Sequence, residues 1–334
     1  MKKKPTNDFP LLLQAFFTDR LMKQRQASPH TISSYRDTFR LLLKFAQRRL
    51  KRAPSSVTID DLDASFVCAF LDHMENERDV SPRTRNVRLA AIHSFFHFLA
   101  FEKPTHSAQI QQVLAIPTKR YVRRPVCFLT EPEIDALLAV PDTSTWVGRR
   151  DRTFLLVAAQ TGLRVSELLG LRCKDVTLGD GAHVRCTGKG RKNRCTPLRK
   201  DSVNALRTWL RERDGDPDDP LFPSVKGHPL GRDGVEYLLR KHLRAARVRC
   251  PSLRTKRVTA HSLRHSAAME WLQQGVDSAV IALLLGHASV ETTDVYLHAS
   301  MKLKERAVAR TKSKTLRSRR FKPDDALLAF LKSL

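Results

Sequence analysis

Residues 261–296 read HSLRHSAAMEWLQQGVDSAVIALLLGHASVETTDVY, and the interpretation of the remaining sequence starts from them. The first residues open an apolar helix, on which His261 and Arg264 share one face because they are three positions apart. A guanidinium fork fits two oxygens of a phosphate or carboxylate, and a neighbouring imidazole can donate a hydrogen bond or take up a proton. The pair therefore predicts an anion site, with helix capping by His261 as the simpler alternative.

Tyr296 closes the same stretch. A phenol with a pKa of about 10 is a poor nucleophile unless positive groups stabilise the phenolate. An active tyrosine should therefore lie among cations. The alternative for Tyr296 is half-buried packing.

The composition favours a polyanionic partner. The chain of 334 residues has 60 Lys and Arg against 34 Asp and Glu, a formal net charge of +26. Such an excess is typical of proteins that bind nucleic acid. An anionic membrane is the competing partner, but no run of 18 or more apolar residues occurs, and Lys2–Lys4 precede Pro5 rather than the apolar core of a signal peptide. We therefore expect a cytoplasmic, nucleoid-associated protein that does not use a membrane.

Neither the cysteines nor the aspartates indicate a metal. The six cysteines lack CxxC spacing, so we expect free thiols rather than a zinc ribbon or a disulfide framework. The aspartates of DGDPDDP, residues 214–220, lie in a turn-forming context without a strand to hold them rigid, which disfavours a two-metal nuclease.

Residues 1–118 predict an all-helical DNA-binding domain. Apolar periodicity and Ser-Pro starts indicate helices over about 9–25, 29–49, 60–76 and 81–102. Arginines at the start of the last helix oppose its macrodipole, so a ligand anion explains them better than helix stability does. The candidate phosphate contacts are Arg36, Arg40, Lys44, Arg83, Arg85 and Arg88.

A basic linker is expected between two domains. The helical periodicity fades over about 103–128, where several prolines occur, and we assign residues 119–128 to the linker. It either crosses a DNA backbone or serves as a hinge. Its candidate DNA contacts are Lys119, Arg120, Arg123 and Arg124.

Residues 129–312 predict a second domain that mixes helices with a small sheet. A helix over about 150–160 runs into TGLRVSELLGLR, where Gly162 ends it and Ser166 can cap the next helix. Arg164 lies at this junction beside the core, where an unpaired charge would be costly. Either Glu167 or a phosphate must neutralise it.

A hairpin follows, with strands Ala182–Thr187 and Arg194–Leu198 around a turn that contains Gly188 and Gly190. Lys189 lies between the two glycines. A flexible ammonium there could protonate a leaving group, although such lysines are also common in ordinary turns. The spacing is not that of a nucleotide-binding P-loop.

Taken together, these motifs resemble the signature of the tyrosine recombinase (phage integrase) family. The match consists of TGLRVSE with Arg164, GKG with Lys189, HSLRH with His261 and Arg264, LGH with His287, and Tyr296 nine residues later. SPHTISSYRDTFR and SPRTRNVRLAAIHSFFHFL resemble the core-binding domain of Xer-like members, and YLHASMKLKERAVAR is similar to recombinases carried by mobile elements.

The resemblance implies a mainly α fold with a small antiparallel sheet: an all-helical, SAM-like core-binding domain and an α+β catalytic domain. It implies site-specific cutting and rejoining of DNA through a 3′-phosphotyrosine, without metal, ATP or another cofactor, in integration, excision or transposition. The implied roles are Tyr296 as nucleophile, Arg164 and Arg264 on the phosphate, Lys189 as acid, His261 as base or partner of the tyrosine, His287 as a further donor, Glu167 as support, and His265 as a structural residue.

The implied partner is double-stranded DNA with inverted-repeat sites, bound as a dimer per site and a tetramer in synapsis, formed by this chain alone or with a second recombinase. Residues 313–334 predict a basic tail and a terminal helix, which would dock in trans on another protomer or in cis. A nicking-resealing enzyme like the type IB topoisomerases, dimer resolution of chromosomes or plasmids, and a DNA-binding regulator without chemistry are the alternatives.

Overall fold

The computed structural model describes residues 7–122, 126–188, 193–287, 292–293 and 296. The chain divides into two compact units, Met1–Arg124 and Pro125–Leu334. The division falls within the segment predicted as a linker. Lys189, Arg123, Arg124 and the tail 313–334 lie outside the described residues.

The described part of the first unit is entirely helical, as the sequence predicts. Helix α1 passes directly into a π-helical segment, and short 3₁₀ turns precede α3 and α5. The bounds are α1 Phe9–Ala15, the π-helical segment Phe16–Gln24, α2 Pro29–Leu50, α3 Ala64–Asn76, α4 Pro82–Glu102 and α5 Ser107–Leu114.

Serine caps and phenylalanine packing hold this unit together. The Ser28 and Ser81 hydroxyls accept the backbone N–H of the residue three positions later, at the starts of α2 and α4. Phe39 of α2 and Phe95 of α4 are buried, with ring centroids 5.2 Å apart in an edge-to-face arrangement. The long helices are thus fixed against each other by aromatic side chains.

Two expectations for this unit were wrong. The region after residue 103 contains α5, because Ile110 and Val113, three positions apart, bury one face of a short helix and Pro104 occupies the first turn of a 3₁₀ segment. The spacing of Val87, Ala91 and Phe95 predicts one apolar face of α4, but Val87 is exposed, whereas Ala91 and Phe95 are buried.

The second unit combines helices with one three-stranded antiparallel sheet in the order β1-β2-β3. In the hairpin, Val184 pairs with Thr196 and Cys186 with Arg194. The bounds are α6 Glu131–Leu138, α7 Trp146–Thr161, α8 Val165–Leu169, β1 Val176–Thr177, β2 His183–Thr187, β3 Asn193–Pro197, α9 Lys200–Arg213, α10 Arg232–Arg249, α11 Ala260–Gln273 and α12 Ser278–Leu285. The predicted mainly α fold with a small antiparallel sheet is confirmed.

Helix α7 lies in the centre of this unit and packs against α9 and α11. It ends at Gly162 and α12 ends at Gly286, both in the left-handed conformation with φ of +59° and +63°. A Cβ on Gly162 would lie 2.8 Å from the Leu285 side chain, so the two helix ends meet too closely for a larger residue. This junction of helix ends forms the frame of the candidate site.

The start of α8 differs from the prediction. Arg164, rather than Ser166, is the residue that precedes the helix, and its backbone N–H donates to the Glu167 carboxylate at 2.7 Å. Glu167 occupies the third helical position and accepts the backbone N–H of the residue before the helix, as the glutamate of a capping box does. Within the described residues, none of the helices is both long and apolar enough to cross a bilayer.

Candidate functional site

Arg264 of α11 is buried and held by carbonyl oxygens at two helix ends. Its guanidinium donates to the Gly162 oxygen at 2.8 Å and to the Leu285 oxygen at 2.7 Å. Carbonyls in the last turn of a helix lack intrahelical partners and carry partial negative charge. A guanidinium has five N–H donors, so these two bonds leave others for an anion.

Arg164 binds the same end of α12. Its Nη2 donates to the Gly286 oxygen at 3.0 Å and its Nη1 to Glu167 Oε1 at 2.9 Å. The side chain remains 27% exposed, unlike that of Arg264. Both predicted phosphate-binding arginines therefore converge on the C-terminal end of α12, with Arg164 on the accessible side.

Glu167 is paired with a third arginine, Arg194 of β3, which the sequence interpretation missed. Arg194 donates to Oε1 at 2.9 Å and to Oε2 at 2.7 Å. Burial alone would raise the pKa of Glu167, but the hydrogen bonds from Arg194 and Arg164 outweigh it and hold the pKa below its usual range. Glu167 is therefore ionised at neutral pH. The available signal was the hairpin register, which places Arg194 opposite the buried Cys186.

The site carries more positive than negative charge. Burial and the nearby Arg164 lower the pKa of Arg264 to about 10. Arg164 and Arg194 pair with the Glu167 carboxylate, whereas Arg264 donates to backbone oxygens. A bound phosphate would supply the missing negative charge, so the arrangement is suited to hold an oxyanion.

Tyr296 is buried against α11 and lies next to this cluster. Its side chain belongs to an apolar cluster with Ala268, Trp271 and Leu272, and its hydroxyl lies 2.9 Å from His265 Nδ1. Burial raises the pKa of Tyr296, while Arg264 and Arg164 act in the opposite direction. The net pKa of Tyr296 is raised, so the charges of the two arginines offset the effect of burial only in part.

In this structure the Tyr296 hydroxyl contacts His265, whereas the resemblance implied His261 as its partner. His261 is an exposed residue in the first turn of α11, and its ring centroid is 5.5 Å from that of His265. Tyr296 packs against the buried middle of α11, so the histidine one turn further along is the one that meets it.

His287 follows Gly286 at the end of α12. Its Nδ1 lies 2.8 Å from the Thr293 hydroxyl, and its ring is nearly parallel to that of Tyr296, 6.4 Å away. Burial, together with the Arg264 charge, lowers the pKa of His287 to about 4, and burial with the His261 ring lowers the pKa of His265 to about 4. Both rings are therefore neutral at neutral pH, and each has one ring nitrogen that can accept a hydrogen bond.

The basic candidates of the first unit fall into two groups. One group is exposed and available to a DNA backbone, although Lys119 also pairs with Glu75 at 2.6 Å. This group consists of Arg36, Arg40, Lys44, Arg83, Lys119 and Arg120.

Arg85 and Arg88 do not fit the expectation of phosphate contact. Arg85 is 5% exposed, with Nε 3.4 Å from Glu75 and a hydrogen bond to the Pro117 oxygen. Arg88 donates to the Ser34 oxygen at 3.2 Å and the Thr38 hydroxyl at 3.1 Å, across the packing of α2 on α4. Protein acceptors, rather than a ligand anion, explain these two cations at a helix N-terminus.

The fold and this cluster define a DNA strand-transferring enzyme of the tyrosine recombinase class. Residues 127–302 match the model of the phage integrase family, and residues 15–103 match the model of the phage integrase N-terminal SAM-like domain. The chain belongs to the phage integrase family and is a site-specific recombinase that acts on DNA.

Relatives cover nearly the whole chain. The Sinorhizobium fredii protein y4rC, named as an integrase/recombinase, is 59% identical over 97% of both chains. The tyrosine recombinase XerD of Pseudomonas putida is 31% identical over 89% of this chain and 95% of its own. Among solved structures, the XerH site-specific recombinase in a post-cleavage complex with a palindromic difH substrate is 25% identical, with a TM-score of 0.66 over 86% of this chain and 81% of XerH.

Proposed function

We propose that the cluster around Arg164, Arg264 and Tyr296 is the catalytic centre of this recombinase and that Tyr296 is the nucleophile. The observation that carries the proposal is the convergence of two arginines on the end of α12, beside a tyrosine whose hydroxyl is held by a neutral histidine. These are the groups that attack on a phosphodiester requires: an anion-binding pair, a nucleophile and a proton acceptor.

In the proposed cleavage step, Arg164 and Arg264 hold the two non-bridging oxygens of the scissile phosphate. The Tyr296 oxygen forms a bond to phosphorus, and the bond from phosphorus to the 5′-oxygen breaks. The products are a 3′-phosphotyrosine and a free 5′-hydroxyl. Because the phosphodiester energy is kept, a 5′-hydroxyl from a partner strand can reverse the step without ATP. The arginines supply the positive charge that a metal supplies in other phosphoryl-transfer enzymes.

Two protons move in this step. The phenolic proton passes to a histidine, and His265 is our choice over His261 because its Nδ1 is within hydrogen-bond distance of the hydroxyl. The 5′-oxygen takes a proton from Lys189, a role that rests on the family motif alone. His287 would donate a further hydrogen bond to the phosphate once its tautomer places N–H on the ring nitrogen that faces it.

The first unit is proposed to bind the DNA backbone through the exposed cations of α2 and α4, chiefly Arg36, Arg40 and Arg83. We further propose inverted-repeat sites, a dimer on each site and a tetramer in synapsis, acting on nucleoid DNA in the cytoplasm. The integrase/recombinase name of y4rC supports a role in integration, excision or transposition of a mobile element. The terminal segment 323–334 is proposed to dock in trans.

Trapping on a nicked duplex tests the function. The duplex carries the sequence that the protein enriches from a random pool, with a nick near the cleavage point so that the released fragment diffuses away. The wild-type protein should form a covalent adduct, and Tyr296→Phe should form none while binding with the same affinity. Adduct on duplexes of any sequence would instead indicate a topoisomerase, and absence of adduct with the wild type would indicate a binding protein without chemistry.

A further inference from the structure

We propose that Arg194 is a positioning residue for cleavage: it holds the Glu167 carboxylate, and through it Arg164, in the orientation that binds the scissile phosphate. The inference rests on the proposed function, because it presumes that Arg164 binds that phosphate. Arg194 itself does not touch the DNA in this proposal, since its side chain is only 13% exposed.

The first line of support is the saturation of Glu167. Oε1 accepts from Arg194 Nη1 and Arg164 Nη1, and Oε2 accepts from Arg194 Nη2 and the Arg164 backbone N–H, at 2.7–2.9 Å. A carboxylate offers about four acceptor positions. Each oxygen therefore receives one bond from each arginine, and neither arginine can be lost without freeing the carboxylate to turn.

The second line of support is the end of α12, where three successive carbonyls each accept from a different arginine. The Leu284 oxygen accepts from Arg194 at 3.2 Å, the Leu285 oxygen from Arg264 at 2.7 Å, and the Gly286 oxygen from Arg164 at 3.0 Å. The three guanidiniums are thus set in one order along a single helix end. Arg194 donates to both oxygens of Glu167 through its two terminal nitrogens, whereas the Arg164 side chain donates to one.

Gly286 shows how closely Arg194 fits. A Cβ at this position would lie 2.5 Å from Arg194 Nη1, and the backbone has a φ of +63°. The absence of a side chain is therefore needed both for the turn and for the guanidinium that lies against it.

Arg194 also links the sheet to this helix end. It lies on β3, just after the connection that contains Lys189 in the sequence, and its bonds to Glu167 and Leu284 fasten β3 to α8 and α12. In the proposal, the same residue therefore fixes both Arg164 and the strand that follows the connection containing Lys189.

A buried ion pair by itself does not establish such a role, because many contribute little net stability and have no part in chemistry. Arg150 offers a matched control. It is a buried arginine that donates through Nε and Nη2 to the buried Asp151 carboxylate, in the core away from the candidate site.

The test compares Arg194→Lys and Arg194→Gln with Arg150→Lys. The measurements are the single-turnover rate of adduct formation on the nicked duplex at saturating DNA, the Kd for an intact duplex, and the thermal midpoint of unfolding. We expect both Arg194 variants to cleave at least about tenfold more slowly, with a Kd within about threefold of wild type. Arg150→Lys should lower the midpoint yet cleave at the wild-type rate.

A double-mutant cycle then shows whether Arg194 acts through Glu167. Arg194→Lys combined with Glu167→Gln should be no slower than the slower single variant, because both changes free the same carboxylate. Multiplying defects, or wild-type cleavage by the Arg194 variants, would overturn the inference. Unfolding of both Arg194 variants under conditions where Arg150→Lys stays folded would also overturn it, in favour of a folding role. Failure of the wild type to form adduct would overturn the proposed function instead.

Discussion

At the scale of single residues, the site depends on how buried charges are balanced. Arg264 is almost fully buried and donates to the backbone oxygens of Gly162 and Leu285. Carbonyls at helix ends offset part of the charge without neutralising it, so the guanidinium remains able to bind an anion. A carboxylate in the same place would compete with the phosphate for Arg264.

The two histidines of α11 should differ in their effect on cleavage. We expect His265→Ala to slow the single-turnover cleavage rate by about tenfold or more, because the Tyr296 hydroxyl loses its acceptor, whereas His261→Ala should have the smaller effect. Rates are measured at saturating DNA, so that binding does not contribute. A larger loss in His261→Ala would return the role of proton acceptor to His261.

Stability should fall as the pH falls below neutrality. The pKa values of His265 and His287 are lowered by burial to about 4, whereas in the unfolded chain both histidines titrate near 6.5. The unfolded state therefore binds more protons between these two pH values. The contribution of the two histidines to the free energy of unfolding is complete above about pH 6.5 and is lost as the pH approaches 4.

The measurement is the thermal midpoint of unfolding at pH 7 and at pH 5. The wild-type midpoint should fall over this interval, and the fall should be smaller in His265→Asn and in His287→Asn. An equal fall in all three proteins would show that these two histidines do not titrate as the structure indicates.

Residues that belong to spaced sequence motifs could be predicted, whereas residues whose role depends on strand register or packing could not. The spacing of the sequence motifs identifies Arg164, Arg264 and Tyr296. In the structure, the two arginines bind the end of α12, and their charges act on Tyr296. Arg194 depends on which face of a strand points inward, and His265 depends on where along α11 the tyrosine packs. Neither role can be predicted before the strand register and the packing of Tyr296 are known.

At the scale of elements, the end of α12 organises the site, since it presents the carbonyls that order the three arginines. The glycine after this helix is the part most sensitive to change. Gly286→Ala would place an alanine in the left-handed conformation with its Cβ against Arg194. Gly275, just after α11, also has a positive φ, +89°, but nothing lies within 4 Å of an added Cβ there.

Both alanine substitutions should therefore cost about 1–2 kcal/mol of stability from the backbone conformation. Only Gly286→Ala should also slow cleavage, because it displaces Arg194. The midpoint of denaturant unfolding and the single-turnover rate separate the two effects. A cleavage rate in Gly286→Ala equal to that of Gly275→Ala would mean that the position of Arg194 is unimportant for chemistry.

Helices with strong caps and long apolar stripes were predictable from sequence, and weakly marked ones were not. Ser28 and Ser81 predict the starts of α2 and α4, and in the structure their hydroxyls cap the N-termini of these helices. Helix α5 is not predicted because Pro104 lies just before it and two further prolines follow it within the same region. Arg85 was assigned to DNA because the helix dipole argument considers one helix alone, whereas Glu75 of α3 lies beside it.

At the scale of the whole molecule, a net charge of +26 makes binding to DNA dependent on salt. Each phosphate contact releases counterions, so the logarithm of the binding constant should fall linearly with the logarithm of the salt concentration. The slope reports the number of cations that contact the backbone.

Arg40 and Arg85 should behave differently in this measurement. Arg40→Gln should reduce the magnitude of the slope by about 1, because the exposed Arg40 contacts a phosphate in our proposal. Arg85→Gln should leave the slope unchanged and lower the thermal midpoint instead, since Arg85 is buried beside Glu75. The reverse pattern would mean that Arg85 turns outward to bind DNA.

The most direct test of the proposed chemistry is the identity of the residue that becomes linked to DNA. The adduct trapped on the nicked duplex is digested with a nuclease and a protease, and the modified peptide is sequenced by mass spectrometry. We predict a nucleotide joined through its 3′-phosphate to Tyr296. A linkage to any other residue, or a linkage through a 5′-phosphate, would contradict the account.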